Sequence, residues 1–272
     1  MQRYCLLKGV VMNFIKMELN DKIATLTLSN PSKLNALSKE LVDELVEAFK
    51  KCANEKVLVV LLKAEANKHD VWSAGHDISE LPEGRRDPLS YFDSVEVLLR
   101  EVLQYPGPVI AVVRGSVWGA ACDLIMTCDM VCADKTATFA ITPAKIGVPY
   151  NITGIMHFIN RIGLNRAKEM FFTAAPVDAA TAIDWGILNH LFESDELDIR
   201  VLAIAEQICQ NSPLAVGVIK EQILYLSETG VAMPPVLFEK ISGLRRRIYD
   251  SHDYAEGIRS FKEKRKPIYI GK

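Results

Sequence analysis

Two stretches of this chain are apolar at every position: "VLVVLL" at Val57–Leu62 and "VIAVV" at Val109–Val113. A strand with no polar alternation has no face to give to water. It must be covered on both sides, as in a parallel sheet flanked by helices. The segments around these runs read accordingly. "FIKMELNDKIATLTLSN" gives two strands, Phe14–Glu18 and Ile23–Leu28, around an Asn20-Asp21 turn. Ser38 is a good N-cap, and Leu41, Leu45, Val46 and Phe49 after it form a helical stripe. A helix is expected near Val95–Gln104, another from about Ala120 to Cys128, a strand at Met130–Ala133, and a short extended piece at "TFAIT". Beyond Asn165 the chain reads as mostly helical, with Met233, Phe238, Ile241, Leu244 and Ile248 on one late apolar stripe. Strands alternating with helices predict an α/β fold with a largely parallel core sheet, followed by a helical C-terminal third. No internal repeat of fixed period is present.

Bulk properties exclude several classes. At 272 residues, 49% hydrophobic and 24% charged, the chain can bury a substantial core and is not a disordered polymer. A formal charge of -2 does not make its surface a trap for nucleic acid. The charge is uneven, however. From Ile241 to Lys272 nine Lys and Arg face four Asp and Glu, so this tail is +5 and the remainder -7. The tail suits either an anionic ligand or simply a solvated helix face. The six cysteines make no CxxC pair, and Cys122, Cys128 and Cys132 sit among apolar residues with no histidine nearby in sequence. This predicts no metal site and reduced thiols in a cytoplasmic protein. No apolar run approaches membrane-spanning length, so no membrane association is expected. "MQRYCLLKGVVMNF" lacks the long apolar core of a signal peptide, and Met12 is a plausible alternative start.

Chemistry is concentrated at two turns that follow buried strands. Ser73-Ala74-Gly75-His76-Asp77 is one; Gly115-Ser116-Val117-Trp118-Gly119-Ala120-Ala121, leading into a helix, is the other. Small residues let a ligand approach backbone amides closely, and a helix start adds unpaired N–H groups with partial positive charge. Two such turns can bind one oxyanion through two N–H donors, or can serve close helix–sheet packing. His76 has two readings as well, as a backbone donor whose imidazole is a solvated surface group beside Asp77 and Glu80, or as an acid catalyst.

"NPSKLNALS", "SAGHDI", "GSVWGAACDLIMTCD", "AATAIDWGILNHL" and the terminal "IYDSHDYAEGIRSFKEKRKP" together resemble the enoyl-CoA hydratase/isomerase family, the crotonases, from about Ile15 to Pro267. The resemblance implies a crotonase-like spiral of ββα units. A helical C-terminal region would build a homotrimer or a hexamer made as a dimer of trimers. It divides the chain into an N-terminal extension (1–11), an acyl-CoA-binding core (12–205) and a trimerisation region (206–272). The implied ligand is an acyl-CoA thioester, with no cofactor beyond the coenzyme A of the substrate. Its carbonyl would sit between the amides of His76 and Ala120, the latter standing where the family usually has glycine. Lys33, Leu34, Ala36, Ala74, Asp77, Ile78 and Gly119 would line the substrate groove, and Phe261 and Lys264 would contact CoA.

The same resemblance bears on the reaction. Crotonase-type hydratases hold water between two glutamates, and the matching positions here are Asp123 and Ala144. Between Gly115 and Asn151 the only acids are Asp123, Asp129 and Asp134. Water addition needs both a base and an acid. Decarboxylation of a malonyl-type thioester needs no base, only an oxyanion hole for the enolate and a pocket that turns the carboxylate out of plane. "AKIGVPYN" supplies Ile146, Val148 and Tyr150, and Tyr150 matches the tyrosine that orients the carboxylate in family members converting methylmalonyl-CoA to propionyl-CoA, a step of propionate and fatty-acid metabolism. Asp123 is either a catalytic group or a charge partner of the helix start. The alternatives are a hydratase or isomerase acting on another acyl-CoA, or a non-catalytic acyl-CoA- or RNA-binding scaffold. "RRDPLSYF" is either a lid over the acyl group or an ordinary charged loop.

Overall fold

The computed structural model describes residues 12–81, 90–211, 213–229, 250–265 and 267–268. The N-terminal extension, the "RRDPL" part of the charged loop and the stripe from Met233 to Ile248 lie outside the described residues.

β1 (Ile15–Asn20) and β2 (Ile23–Leu28) form an antiparallel hairpin, with Asn20 opposite Ile23. α1 (Lys39–Asn54) then crosses to β3 (Val59–Ala64), which runs parallel to β2. β5 (Val109–Val113), β7 (Met130–Asp134) and β10 (His190–Phe192) extend the sheet in parallel, in the order β1-β2-β3-β5-β7-β10. A smaller sheet holds β4 (Val71–Ser73), β6 (Ser116–Trp118), β8 (Thr138–Ala140) and β9 (Val177–Asp178), with the first three parallel and β9 antiparallel. In chain order each of β3, β5 and β7 hands on to β4, β6 and β8. Each pair is followed by a helix: α2 (Ser94–Gln104), α3 (Ala120–Thr127) and α4 (Ile152–Thr173). This is the ββα spiral. α5 (Ala179–Trp185), α6 (Leu197–Cys209), α7 (Pro213–Thr229) and α8 (His252–Lys262) complete the described helices.

The uninterrupted apolar strands are buried on both faces, as their composition requires. Val60 and Leu62 point into the main core, while Val59 and Leu61 pack beneath Val201 and Ala205 of α6. Val109, Ala111 and Val113 divide from Ile110 and Val112 in the same way.

Three expectations change. The turn at 115–121 contains a strand of its own, β6. β9 and β10 interrupt the region read as helical. The helix expected only beyond Asn165 begins at Ile152, capped by the Asn151 side chain accepting from Gly154 N–H, and kinks at Gly163 (φ 78°). Ile152, Thr153, Gly154 and Ile155 are poor helix formers, and packing on α3 overrides their propensity.

Candidate active site

The three parallel strands of the small sheet deliver the site. Their carboxyl ends lead to His76 after β4, to Ala120 after β6, and to the segment from Pro143 to Asn151 after β8. Ligands of open α/β sheets gather at such strand ends.

The first two ends meet. A single parallel bridge pairs Leu37 with His76: Leu37 N–H donates to Gly75 O (2.8 Å), and Asp77 N–H donates to Leu37 O (3.3 Å). In that pattern the N–H of His76 points away from Leu37. Ala120 opens α3, so its N–H has no carbonyl one turn behind it. Gly75 brings the two turns together. It has φ +83°, and a Cβ there would lie 2.4 Å from Trp118 O and 3.0 Å from Ala120 N. Gly119 reaches its turn conformation with φ +54° and donates to Ala140 O.

His76 differs from the solvated side chain expected of it. Its imidazole is 12% exposed. Nδ1 lies 3.1 Å from Asp77 O and Nε2 lies 3.4 Å from Asp93 Oδ2. Burial lowers its pKa, but the bond to Asp93 and its charge outweigh that, and the net shift is upward. Acceptors face both ring nitrogens, an arrangement that favours the protonated form of the imidazole beside the oxyanion turn. Asp93 also caps α2 by accepting from Val95 N–H at 2.9 Å. It lies 17 residues from His76 in sequence, so nothing local marked it.

The predicted groove residues lie along one another. Ala74 N–H donates to Leu34 O at 3.0 Å, Ser73 Oγ donates to Asn35 O at 2.7 Å, and exposed Lys33 reaches Asp77 at 3.3 Å. Asp77 also accepts from Ser79, starting the short turn that carries Ile78. Phe261, which is exposed, lies in the last turn of α8, and Lys264 lies two residues beyond the helix end. α8 does approach the groove. Tyr254 and Ile258 pack with Leu81, Val148, Ile78 and Ile146, and Gly257 lets the helix touch the Ile146 carbonyl.

The third strand end brings Tyr150 to Asp123. The Tyr150 hydroxyl donates to Asp123 Oδ2 at 3.1 Å, and His157 Nδ1 lies 2.7 Å from Asp123 Oδ1. Asp123 is buried, and so is Glu96 of α2, which accepts from Asn151 Nδ2 and from Thr153 Oγ1. Burial, then the Asp123 charge, pushes the Glu96 carboxyl upward. Burial and the same neighbour hold the Tyr150 phenol well above its ordinary value. For His157, burial lowers the pKa while Asp123 raises it, and the net shift is upward. Gly154 makes the arrangement possible, because a Cβ there would lie 2.2 Å from the Tyr150 ring and 2.5 Å from Asp123 Oδ2. Asp123 is therefore a bonded member of a polar cluster and not merely a helix-start charge. Sequence reasoning missed Glu96 and His157, which come from two other helices.

Residues 18–272 match the enoyl-CoA hydratase/isomerase family. The chain belongs to this family. It is 43% identical to methylmalonyl-CoA decarboxylase of Escherichia coli strain K12, over 92% of this chain and 95% of that protein. It is 31% identical to enoyl-CoA hydratase domain-containing protein 3 of Danio rerio, over 91% of this chain and 84% of that one. Among solved structures, methylmalonyl-CoA decarboxylase in complex with 2-nitronate-propionyl-CoA superposes with a TM-score of 0.93 at 42% identity, covering 96% of this chain and all of that one. An enoyl-CoA hydratase/carnithine racemase from Magnetospirillum magneticum reaches 0.71 at 27% identity, covering 96% and 97%. The crotonase-type α/β spiral expected from the motifs is thus the fold of this family member.

Proposed function

We propose that the protein is an acyl-CoA lyase that decarboxylates a malonyl-type thioester, with methylmalonyl-CoA giving propionyl-CoA. The observation that carries this reading is the third strand end. From Pro143 to Asn151 it offers a tyrosine and no carboxylate, and both nearby acids are already engaged, Asp123 by His157 and Tyr150, Glu96 by Asn151 and Thr153. A hydratase needs carboxylates free to hold water. The higher identity to the decarboxylase than to the hydratase relative supports the same side.

In this reading the thioester oxygen sits between the N–H groups of His76 and Ala120. The C–C bond to the carboxylate breaks, CO2 leaves, and the electron pair becomes an enolate on that oxygen. The two amides gain strength as charge develops on it. When protonated, the His76 imidazole adds positive potential at the same place. Val148 and Ile146, backed by α8, give the carboxylate an apolar wall that favours its leaving as neutral CO2. Lys33, Leu34, Ala36, Ala74, Asp77, Ile78 and Gly119 would line the CoA groove, with Phe261 contributing from α8 and Lys264 from just beyond it. Its affinity then falls as salt rises, and an affinity indifferent to salt counts against the lysines.

The finer organisation is proposed on the same footing: a core of 12–205 and a trimerisation region of 206–272, a homotrimer or hexamer, and a cytoplasmic setting. Exposed Val218, Ile219 and Ile223 on α7 support an oligomer, and the free thiols support a reducing compartment. The first test is to incubate the purified chain with methylmalonyl-CoA, malonyl-CoA and crotonyl-CoA and identify products by mass spectrometry. Propionyl-CoA with crotonyl-CoA untouched is expected. Hydration of crotonyl-CoA with both malonyl esters intact refutes the reading. Tyr150→Phe should lose decarboxylation while keeping its fold.

A further inference from the structure

We propose that Asp123 and Tyr150 form a proton-loading pair: binding of the substrate carboxylate places one proton on Asp123, and the Tyr150 hydroxyl passes it to the α-carbon once CO2 has left. The proposal rests on the decarboxylase reading and names the proton source that reading lacks.

A phenol has a single proton to donate. In the structure Tyr150 spends it on Asp123 Oδ2. A carboxylate brought to that hydroxyl meets only lone pairs, an unsatisfied contact in a buried site. Protonating Asp123 reverses the chain. Asp123 Oδ2–H then donates to the Tyr150 oxygen, and Tyr150 O–H is free to donate to the substrate. Carboxylate binding and Asp123 protonation therefore favour each other, and the coupling is reciprocal.

The surroundings are built for such a change. Asp123 Oδ1 stays bonded to His157 Nδ1 in either state. The His157 side chain is 18% exposed against 3% for Asp123, so it links the buried carboxylate to solvent. Glu96 faces the cluster from α2, bonded to Asn151 and Thr153, and places a second carboxyl group beside Asp123. Cys122, the neighbour on α3, is tied to the carbonyls of Val117 and Ala140. Arg161, one turn beyond His157 on α4, is engaged by the carbonyls of Ile125 and Cys128. The incoming carboxylate brings one more negative charge to Glu96 and Asp123, with His157, whose pKa Asp123 raises, facing them. His157 and Glu96 are positioning residues, acting through Asp123 and Asn151.

The steps balance. The bond from the α-carbon to the carboxylate breaks, and its electrons become the enolate held by His76 and Ala120. Tyr150 O–H forms the new C–H bond, and the Tyr150 oxygen takes the proton from Asp123 Oδ2. Asp123 ends as a carboxylate accepting from Tyr150, which is the arrangement in the structure. One proton enters and one CO2 leaves per turnover, with no other reactant.

The test is calorimetry near neutral pH, in phosphate and in Tris, whose ionisation heats differ. The probes are 2-carboxypropyl-CoA and S-propyl-CoA, which differ by the carboxylate alone. Wild type should take up about one proton more with the first ligand than with the second. Its affinity for the first should weaken up to about tenfold per pH unit as pH rises. Asp123→Asn keeps the acceptor for His157 and supplies N–H to Tyr150. It should bind the carboxylate ligand at least as well, with no linked proton. Tyr150→Phe cuts the chain and should also abolish the uptake, which guards against a poorly folded Asn variant. Equal uptake with both ligands in wild type, or undiminished uptake in both variants, overturns the proposal. Turnover of methylmalonyl-CoA is followed in the same preparation. Absent turnover refutes the decarboxylase reading, whereas turnover without linked uptake refutes only the relay.

Discussion

Replacing Gly75 by alanine tests the oxyanion hole more sharply than replacing any side chain. The new Cβ would lie 2.4 Å from Trp118 O and 3.0 Å from Ala120 N, both backbone atoms that cannot rotate away. Ordinary carbon contacts begin at about 3.4 Å, so the turns of β4 and β6 must separate by roughly 1 Å. The backbone is strained too, since φ is +83° and an L side chain there costs about 1–2 kcal/mol. With the forced displacement, the loss of stability should be about 2–4 kcal/mol. In a domain of this size that lowers Tm by roughly 5–10 °C. The catalytic effect should be larger in proportion. A shift near 1 Å costs about 10²-fold, and losing one oxyanion donor costs about 10²–10³ in kcat. The assay is kcat for methylmalonyl-CoA well below the variant's Tm, with near-UV circular dichroism confirming the fold. A folded Gly75→Ala protein with undiminished kcat would remove the His76 and Ala120 amides from the mechanism.

Asp93→Asn keeps a good cap on α2 but removes the charge facing His76. The folded pKa of His76 is raised, so the pair's contribution is full below about pH 6.5 and is lost as pH rises through the folded value. Urea melts should show the variant weaker by about 1 kcal/mol at pH 6, the gap closing by pH 9, and a gap constant with pH refutes the ion pair. Glu96 carries the opposite cost. A carboxyl with a raised folded pKa favours folding below about pH 4.5 and loses that advantage as pH climbs through the folded value. Glu96→Gln should therefore gain about 1 kcal/mol on wild type at pH 8 and nothing at pH 4. An equal loss at both would mean that its bonds to Asn151 and Thr153 outweigh its charge. Gly257→Ala puts a Cβ 1.8 Å from Ile146 O, so α8 must leave the wall that carries Val148. Limited proteolysis should cut near α8 faster in the variant, at a cost of about 2–3 kcal/mol, and unchanged protection refutes that packing.

Much of this protein was legible in one dimension. The apolar runs at Val57–Leu62 and Val109–Val113 required a sheet covered on both faces, because no position in them tolerates water. The small residues around Gly75 and Gly119 marked where backbone approaches backbone, since only a missing Cβ permits Trp118 O and the Gly75 Cα to meet. Short-range chemistry of this kind is written in adjacent residues. What escaped the sequence was decided by residues far apart in it. The first half of α4 forms against its own propensity because α3 is there to cover it. His76 changes from a solvated side chain to a largely covered ring facing a carboxylate because Asp93 arrives from the start of α2. Asp123 changes from a helix-start charge to the centre of a cluster because α2 brings Glu96, α4 brings His157 across 34 residues, and the segment after β8 brings Tyr150 across 27. Local sequence sets which backbone shapes are allowed, since sterics act between neighbours. The protonation state and bonding of a buried group depend on whatever charge the fold places beside it, and only the tertiary structure decides that.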